Sequence, residues 1–151
     1  MKVKEVMTTD VKFCRPETNA AEAVKIMWDQ DCGVLPIVDH DRKVVGMITD
    51  RDLSVAVATR GGAAERIAVK DVSTGKAYTC LAEDSVPAAL EVMKAQKVRR
   101  LAVVDAEGRL KGILSMNDIV LHTGAASPNQ IVETLAGICA HRAKPAMAGA
   151  A

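Results

Sequence analysis

Aromatic side chains are nearly missing from this chain: Phe13, Trp28 and Tyr78 make up 2% of its residues. Proteins that bind single-stranded nucleic acid stack successive bases on rows of aromatic faces, so that class is excluded. Any nucleobase held here is expected to rest on aliphatic side chains and backbone hydrogen bonds. A surplus of charge is missing too. The 20 Lys and Arg face 19 Asp and Glu, a formal net charge of +1, so no global field draws the chain to nucleic acid or to an anionic membrane. No apolar run approaches the roughly 18 residues needed to cross a bilayer. The segment Met1-Lys2-Val3-Lys4-Glu5 lacks the apolar stretch of a secretion signal. The expectation is a cytoplasmic protein with no membrane and no nucleic-acid partner.

The cysteines Cys14, Cys32, Cys80 and Cys139 show no C-x-x-C spacing and no histidine at metal-ligand spacing. Neither a zinc site nor a disulfide framework is expected. His40, His122 and His141 read as surface positions, and no nucleophile–base pair stands out. The chain is therefore not expected to be an enzyme. A hydrophobic content of 49% with 26% charged residues describes an ordinary globular protein.

What is present is a repeat. Shifted by 66 residues, the chain matches itself without a gap: Gly46-Met47-Ile48-Thr49-Asp50-Arg51-Asp52 lies over Gly112-Ile113-Leu114-Ser115-Met116-Asn117-Asp118. Val3, Lys4 and Val6 lie over Val69, Lys70 and Val72, Cys14 over Cys80, and Leu35, Val38 and Asp39 over Leu101, Val104 and Asp105. Two copies of a unit too small to bury a core alone pack about a pseudo-twofold axis and create clefts lined twice. The shared position of Cys14 and Cys80 suits a small residue packed at a strand end.

Periodicity predicts the order strand, helix, strand, strand, helix, twice. In the first copy the elements are Val11–Cys14, a helix carrying Ala20, Ala23, Val24 and Met27, then Val34–Val38, Val44–Ile48 and a helix from Asp50 to about Thr59, ended by Arg60-Gly61-Gly62, where glycine supplies a left-handed cap. In the second copy they are Ala77–Cys80, Val86–Gln96, Arg100–Asp105, Leu110–Ser115 and Met116 to about His122. The repeats are set at residues 1–62 and 63–122, with Ala63–Arg66 as linker, Val3–Met7 and Val69–Ser73 as lead-ins, and a tail over 123–151. The tail opens with small residues expected to be flexible. It then forms one amphipathic helix over about 128–142, begun by the capping box Ser127-Pro128-Asn129-Gln130. His141, Arg142 and Lys144 suit its C-terminal end, Pro145 stops it, and Ala146–Ala151 are expected to be disordered. Its stripe Ile131, Leu135 and Ile138 is expected on the module or on a partner, with dimer contact or partner docking favoured. Trp28, beside the apolar stripe of its own helix, is either an interface anchor or a side chain partly buried at home.

The G-h-h-[ST]-x-x-D motif puts a hydroxyl at the end of a strand and an aspartate in the first helical turn. Thr49 and Ser115 are good N-caps, and Asp52 and Asp118 suit the positive helix end, so capping alone accounts for either copy. The same geometry serves a nucleotide. Free N–H groups and a hydroxyl meet phosphate, and an ionised carboxylate can accept hydrogen bonds from a ribose diol. Arg51 and Asn117 could reach phosphate oxygens. Arg99 and Arg100 open an apolar strand where the first copy has Gly33 and Val34, which looks like a phosphate clamp because guanidinium matches phosphate oxygens in pairs.

The paired motifs, the strands Leu35-Pro36-Ile37-Val38-Asp39 and Arg99-Arg100-Leu101-Ala102-Val103-Val104-Asp105, and the lead-in Lys4-Glu5-Val6-Met7-Thr8 resemble a tandem cystathionine β-synthase (CBS) domain pair, or Bateman module, from Met1 to about His122. The resemblance implies a mixed α/β fold of two β-α-β-β-α repeats, here with an extra C-terminal helix. It implies a regulatory module that binds adenosine-containing ligands (AMP, ADP, ATP or S-adenosylmethionine), requires no cofactor, pairs into a disc-like homodimer and acts on a regulated protein. It further implies ribose on Asp52 and Asp118, phosphate near Thr49, Ser115, Arg51, Asn117, Arg100 and Arg99, and a base against Val11, Cys32 and Gly33 in the Asp118 cleft or against Ala77, Val98 and Arg99 in the Asp52 cleft. Two competent clefts are expected. Ser73 in place of Met7 and Ala102 in place of Pro36 depart from the pattern, and the second is expected to loosen a strand entry. A ligand-independent dimerisation scaffold is the alternative reading.

Overall fold

The computed structural model describes residues 1–140. The expectations for His141, Arg142, Lys144, Pro145 and Ala146–Ala151 lie outside the described residues. In the first repeat, helix α1 (Ala20–Asp29) precedes strands β1 (Val34–Val38) and β2 (Val44–Thr49) and helix α2 (Asp50–Arg60). The second repeat runs through a short helix α3 (Val69–Val72), β3 (Thr79–Leu81), α4 (Val86–Gln96), β4 (Arg100–Val104), β5 (Leu110–Ser115) and α5 (Met116–Leu121). Helix α6 (Pro128–Cys139) follows. Every helix but the short α3 starts on a side-chain cap: Asn19, Thr49, Ser85, Ser115 and Ser127 accept from the backbone N–H three residues on. Gly61, at φ 63°, closes α2 in the left-handed conformation that glycine adopts without strain.

β1 and β2 are antiparallel, and so are β4 and β5, each pair with an irregularity at the same place. Their turns match as well: Arg42 (φ 64°) and Gly108 (φ 81°) are equivalents, bracketed by the Asp39 and Asp105 carboxylates accepting backbone N–H bonds. The first strand differs between repeats. β3 pairs parallel with β4, whereas Val11–Cys14 is reduced to one bridge between Cys14 and Ile37. Ala102 N–H donates to the Tyr78 carbonyl (3.2 Å), but its counterpart Pro36 has no N–H to offer Lys12. The alanine thus lengthens the ladder rather than loosening it.

The lead-ins are exchanged. Val3 N–H donates to Asp84 O (2.9 Å), Lys4 N–H to Ala82 O (2.9 Å), and Val86 N–H to Met1 O (3.1 Å). The equivalent bonds tie Val69 to Thr18 (2.8 Å), Lys70 to Pro16 (2.9 Å) and Ala20 to Ile67 (2.8 Å). Val3 and Val6 therefore fill the core of the second repeat with Leu90, Met93, Leu101 and Leu114, while Ile67 and Val69 fill that of the first with Ala23, Leu35 and Leu53. A third cluster, Val38, Ala102 and Leu110 with Val11, Phe13 and Met47 against it, joins the halves. Val44 N–H to Gly108 O and Leu110 N–H to Arg42 O, both 3.0 Å, stitch the same seam.

Glu83 clamps the N-terminal lead-in, accepting from Lys2 Nζ (2.7 Å) and Lys4 Nζ (2.6 Å). Those hydrogen bonds, from Lys2 first, hold its carboxyl down at about 2, against an ordinary 4.5. The folded acid is the stronger one, so the clamp contributes fully above about pH 4.5 and is lost as pH falls towards about 2. The groups are exposed and the contribution is modest. Protection of the Val3 and Lys4 amides, relative to their intrinsic exchange rates at each pH, is expected to fall across that window while protection in β4 does not; unchanged lead-in protection would refute the clamp.

Helix α6 lies on α4, with Ile131, Leu135 and Ile138 against the core of the second repeat and Thr134 buried. The crossing is close, because a methyl group on Gly137 would lie 2.6 Å from Lys94 Cγ. The stripe assigned to dimer contact is therefore spent inside its own chain. The preceding segment is not all loose either, since Ala125 is 3% exposed within the same core. Among the described residues α1 has no such cover: Trp28 is 84% exposed, which removes the reading in which it is partly buried at home.

Candidate functional site

Strand register assembles the two corners. Val34 pairs with Thr49 across β1/β2, and Arg100 pairs with Ser115 across β4/β5. Each pairing sets the hydroxyl that caps a helix beside the first residue of a buried strand. Val34 and Arg100 are themselves repeat equivalents, and together they form a wall common to two clefts.

The larger cleft encloses about 720 Å³, within the ~300–1,000 Å³ of ordinary small-molecule sites. Thr49, Arg51 and Asp52 reach it from the first repeat, and Val98, Arg99 and Arg100 from the second. Ala77 does not line it. Its neighbours Lys76 and Tyr78 do, because successive side chains of an extended segment point to opposite sides. Tyr78 was missed, and it overturns the expectation of an all-aliphatic base site: the larger cleft has one aromatic face, with Lys76 Nζ 5.4 Å from its centroid. Only the alternation of an extended segment ending at Cys80 could have signalled it.

The smaller cleft, about 220 Å³, is lined by Val11, Cys32, Ser115 and Asp118, together with Thr8, Asp10, Lys12, Gln30 and Arg100. Gly33 and Asn117 are outside it. Gly33 opens instead on a shallow depression with Trp28 and Asp50, and a methyl group there would lie 2.9 Å from Asp50 Oδ2. Asp50 is equivalent to Met116, which is buried, so Gly33 has an exposed carboxylate beside it where its equivalent Arg99 faces the larger cleft. Asn117 is exposed at the start of α5 and faces neither cleft.

The two aspartates are held alike and used differently. Asp52 Oδ2 accepts from Thr49 N–H (3.0 Å), and Asp118 Oδ2 from Ser115 N–H (2.7 Å) and Ser115 Oγ (2.5 Å). Asp118 Oδ1 is also occupied, by the Thr8 hydroxyl at 3.2 Å. Among the described residues Asp52 Oδ1 accepts no hydrogen bond, although Thr74, the equivalent of Thr8, lines the same cleft. That carboxylate oxygen, open to the larger cleft, is available to hydroxyl donors. The cations beside it are available too: among the described residues Arg51, Arg99 and Arg100 form no ion pair, whereas Lys12 pairs with Asp10 (3.4 Å).

Burial pushes the Cys14 and Cys80 thiols up to about 12 and keeps them protonated. Iodoacetamide at neutral pH is expected to label Cys139 fast, Cys32 more slowly and these two hardly at all. Labelling of Cys14 and Cys80 at the rate of Cys139 would contradict the burial. Among the described residues no group of three His, Cys, Asp or Glu is placed to hold a metal ion, and no helix is long and apolar enough to cross a membrane.

Two interlocked repeats around paired clefts define a tandem two-cleft module. The CBS domain model matches residues 3–59 and 69–123, and the chain belongs to the CBS domain family. Inosine-5'-monophosphate dehydrogenase of Methanocaldococcus jannaschii is 39% identical over 121 residues, 79% of this chain but 23% of the dehydrogenase. The chain thus spans under a quarter of that relative's length. Among solved structures, the CBS domain pair of protein MJ0100 in complex with 5'-methylthioadenosine and S-adenosyl-L-methionine is 26% identical with a TM-score of 0.72, over 80% of this chain and 94% of that one. CBSX2 in complex with AMP is 25% identical with a TM-score of 0.68, over 80% and 93%.

Proposed function

We propose that this chain is a regulatory module that binds an adenine nucleotide reversibly and passes its occupancy to a regulated protein. The carrying observation is the 720 Å³ cleft that joins an open Asp52 oxygen to the guanidinium groups of Arg51, Arg99 and Arg100, which form no ion pair among the described residues. Asp52 Oδ1 would accept from a ribose diol, Thr49 and the three arginines would meet phosphate oxygens, and Tyr78 and Val98 offer apolar contact to the base. The AMP complex of CBSX2 supports this ligand class. The MJ0100 complexes support a second, the adenosyl sulfur compounds (a thioether and a sulfonium), for which the arginines have no obvious use. Regulation follows if the ligand binds one arrangement of the two repeats better than another, since the cleft walls come from both.

Calorimetric titration with AMP, ADP and ATP tests the reading. Asp52→Ala is expected to weaken binding by about 1–3 kcal/mol, the range for stranding polar partners. Absence of binding by any adenosine compound up to millimolar concentration would leave the motifs as helix caps and the chain as a scaffold.

Assembly as a homodimer belongs to the same proposal. Val24 (46% exposed) and Trp28 on α1 are the uncovered counterparts of Leu90 and Lys94 on α4, where α6 sits. Trp28→Lys is expected to shift a dimer to monomer in size-exclusion chromatography with light scattering, and an unchanged mass would exclude this face.

A further inference from the structure

The two clefts carry different charge. The Asp52 cleft is walled by Arg51, Lys76, Arg99 and Arg100 against one carboxylate, Asp52. Lys97 is also there, but its Nζ is engaged with Ala140 O (3.2 Å). In the Asp118 cleft, Lys12 and Arg100 are balanced by Asp10 and Asp118, and Lys12 is already paired with Asp10. That cleft has under a third of the volume, about 220 against 720 Å³. Its one cation outside an ion pair, Arg100, stands in the wall shared with the larger cleft.

From this we infer that the module sorts adenosine compounds by charge. The Asp52 cleft takes a nucleoside polyphosphate, and the Asp118 cleft takes an adenosine derivative with no net negative charge. The inference rests on the adenine-nucleotide reading above and adds a ligand class for each seat. The physical reason is direct. A triphosphate set among guanidinium groups gains charge-assisted hydrogen bonds, whereas in the Asp118 cleft it would meet two carboxylates and gain at most Arg100. When Arg100 turns to a phosphate in the larger cleft, the smaller one is left with Lys12 against Asp10 and Asp118, which disfavours an anion further. The two ligands are then compatible, and each is expected to leave the other's binding unweakened.

Cys32 makes the two seats separable in one experiment. Its thiol is half-buried in the Asp118 cleft, 3.6 Å from Val34 O, while the exposed Cys139 serves as internal control. The intact chain is titrated calorimetrically with ATP and with adenosine at low and high salt, and iodoacetamide labelling of Cys32 is followed by mass spectrometry. Adenosine is expected to slow Cys32 labelling, and ATP at saturation of its own seat is not. The double variant Arg51→Gln/Arg99→Gln alters two exposed side chains; it is expected to lose about 10- to 100-fold in ATP affinity with adenosine affinity unchanged. High salt should weaken ATP and spare adenosine. The inference is overturned if ATP protects Cys32 as adenosine does, or if the double variant weakens both ligands equally. Failure of both compounds to bind at all would instead overturn the adenine-nucleotide reading, a result seen in the titration alone.

Discussion

Val3→Asp is expected to unfold the second repeat and leave the first largely folded. Val3 belongs by position to the first copy, yet it is fully buried among Val86, Leu90, Leu101 and Leu114 of the second. A carboxylate there has no cation within the core, and an uncompensated buried charge costs about 3–5 kcal/mol. That is a large part of the stability of an ordinary domain, about 5–15 kcal/mol. Native-state hydrogen exchange reads the location of the damage. Protection should fall in β4 and β5 first and in β1 and β2 least. Val69→Asp, at the equivalent position, should reverse the pattern, because Val69 lies in the core of the first repeat. Equal loss in both sheets from either variant would refute the exchange of lead-ins.

Gly112→Val is expected to cost about 3 kcal/mol, the upper part of the range for overpacking, and to disturb the Asp118 cleft. Even a methyl group at Gly112 would lie 2.6 Å from the Thr8 carbonyl oxygen. That oxygen accepts from Ile113 N–H at 3.0 Å, in the bridge that lays the lead-in beside β5. Backbone has nowhere to retreat without breaking the bridge, and the Thr8 hydroxyl on Asp118 goes with it. Gly46, the repeat equivalent, is the control. Its nearest neighbours would be Ser73 Oγ at 2.9 Å and Ile37 Cδ1 at 3.1 Å, both ends of side chains able to turn aside. Gly46→Ala is therefore expected to cost less than Gly112→Ala in denaturant unfolding. Equal losses would show that the backbone contact does not decide the cost.

Much of the fold is legible in the residues because the signals are local. The caps Thr49, Ser115 and Ser127 and the left-handed Gly61 act within one turn, and the apolar runs of β1 and β4 declare burial without reference to any partner. The lead-ins are different. Val3 and Val6, or Val69 and Val72, mark a short apolar face, but nothing nearby says which copy it covers. That choice is made by backbone bonds to residues some eighty positions away in one case and fifty in the other. The short first strand follows from Pro36, whose missing N–H acts on a residue two dozen positions earlier. The site divides in the same way. The motif positions Thr49, Asp52, Ser115 and Asp118 fall where the repeat places them, at the mouths of the clefts. The flanking wall depends on which side of an extended segment faces in, which put Tyr78 and Lys76 in place of Ala77. It depends too on a single neighbour, Asp50, that stands beside Gly33 on a separate depression.

The exchanged lead-ins make each half the custodian of a piece the other needs. Cleaved between Gly61 and Gly62, the chain would yield two fragments, neither holding a complete core: one would carry Val3 and Val6 with no second repeat to fill, the other Ile67 and Val69 with no first. Mixed, they have reason to seek each other rather than their own kind. The covalent link between the copies is thus dispensable in a way their mutual insertion is not. What reads along the chain as a tandem array is, in its architecture, a reciprocal graft.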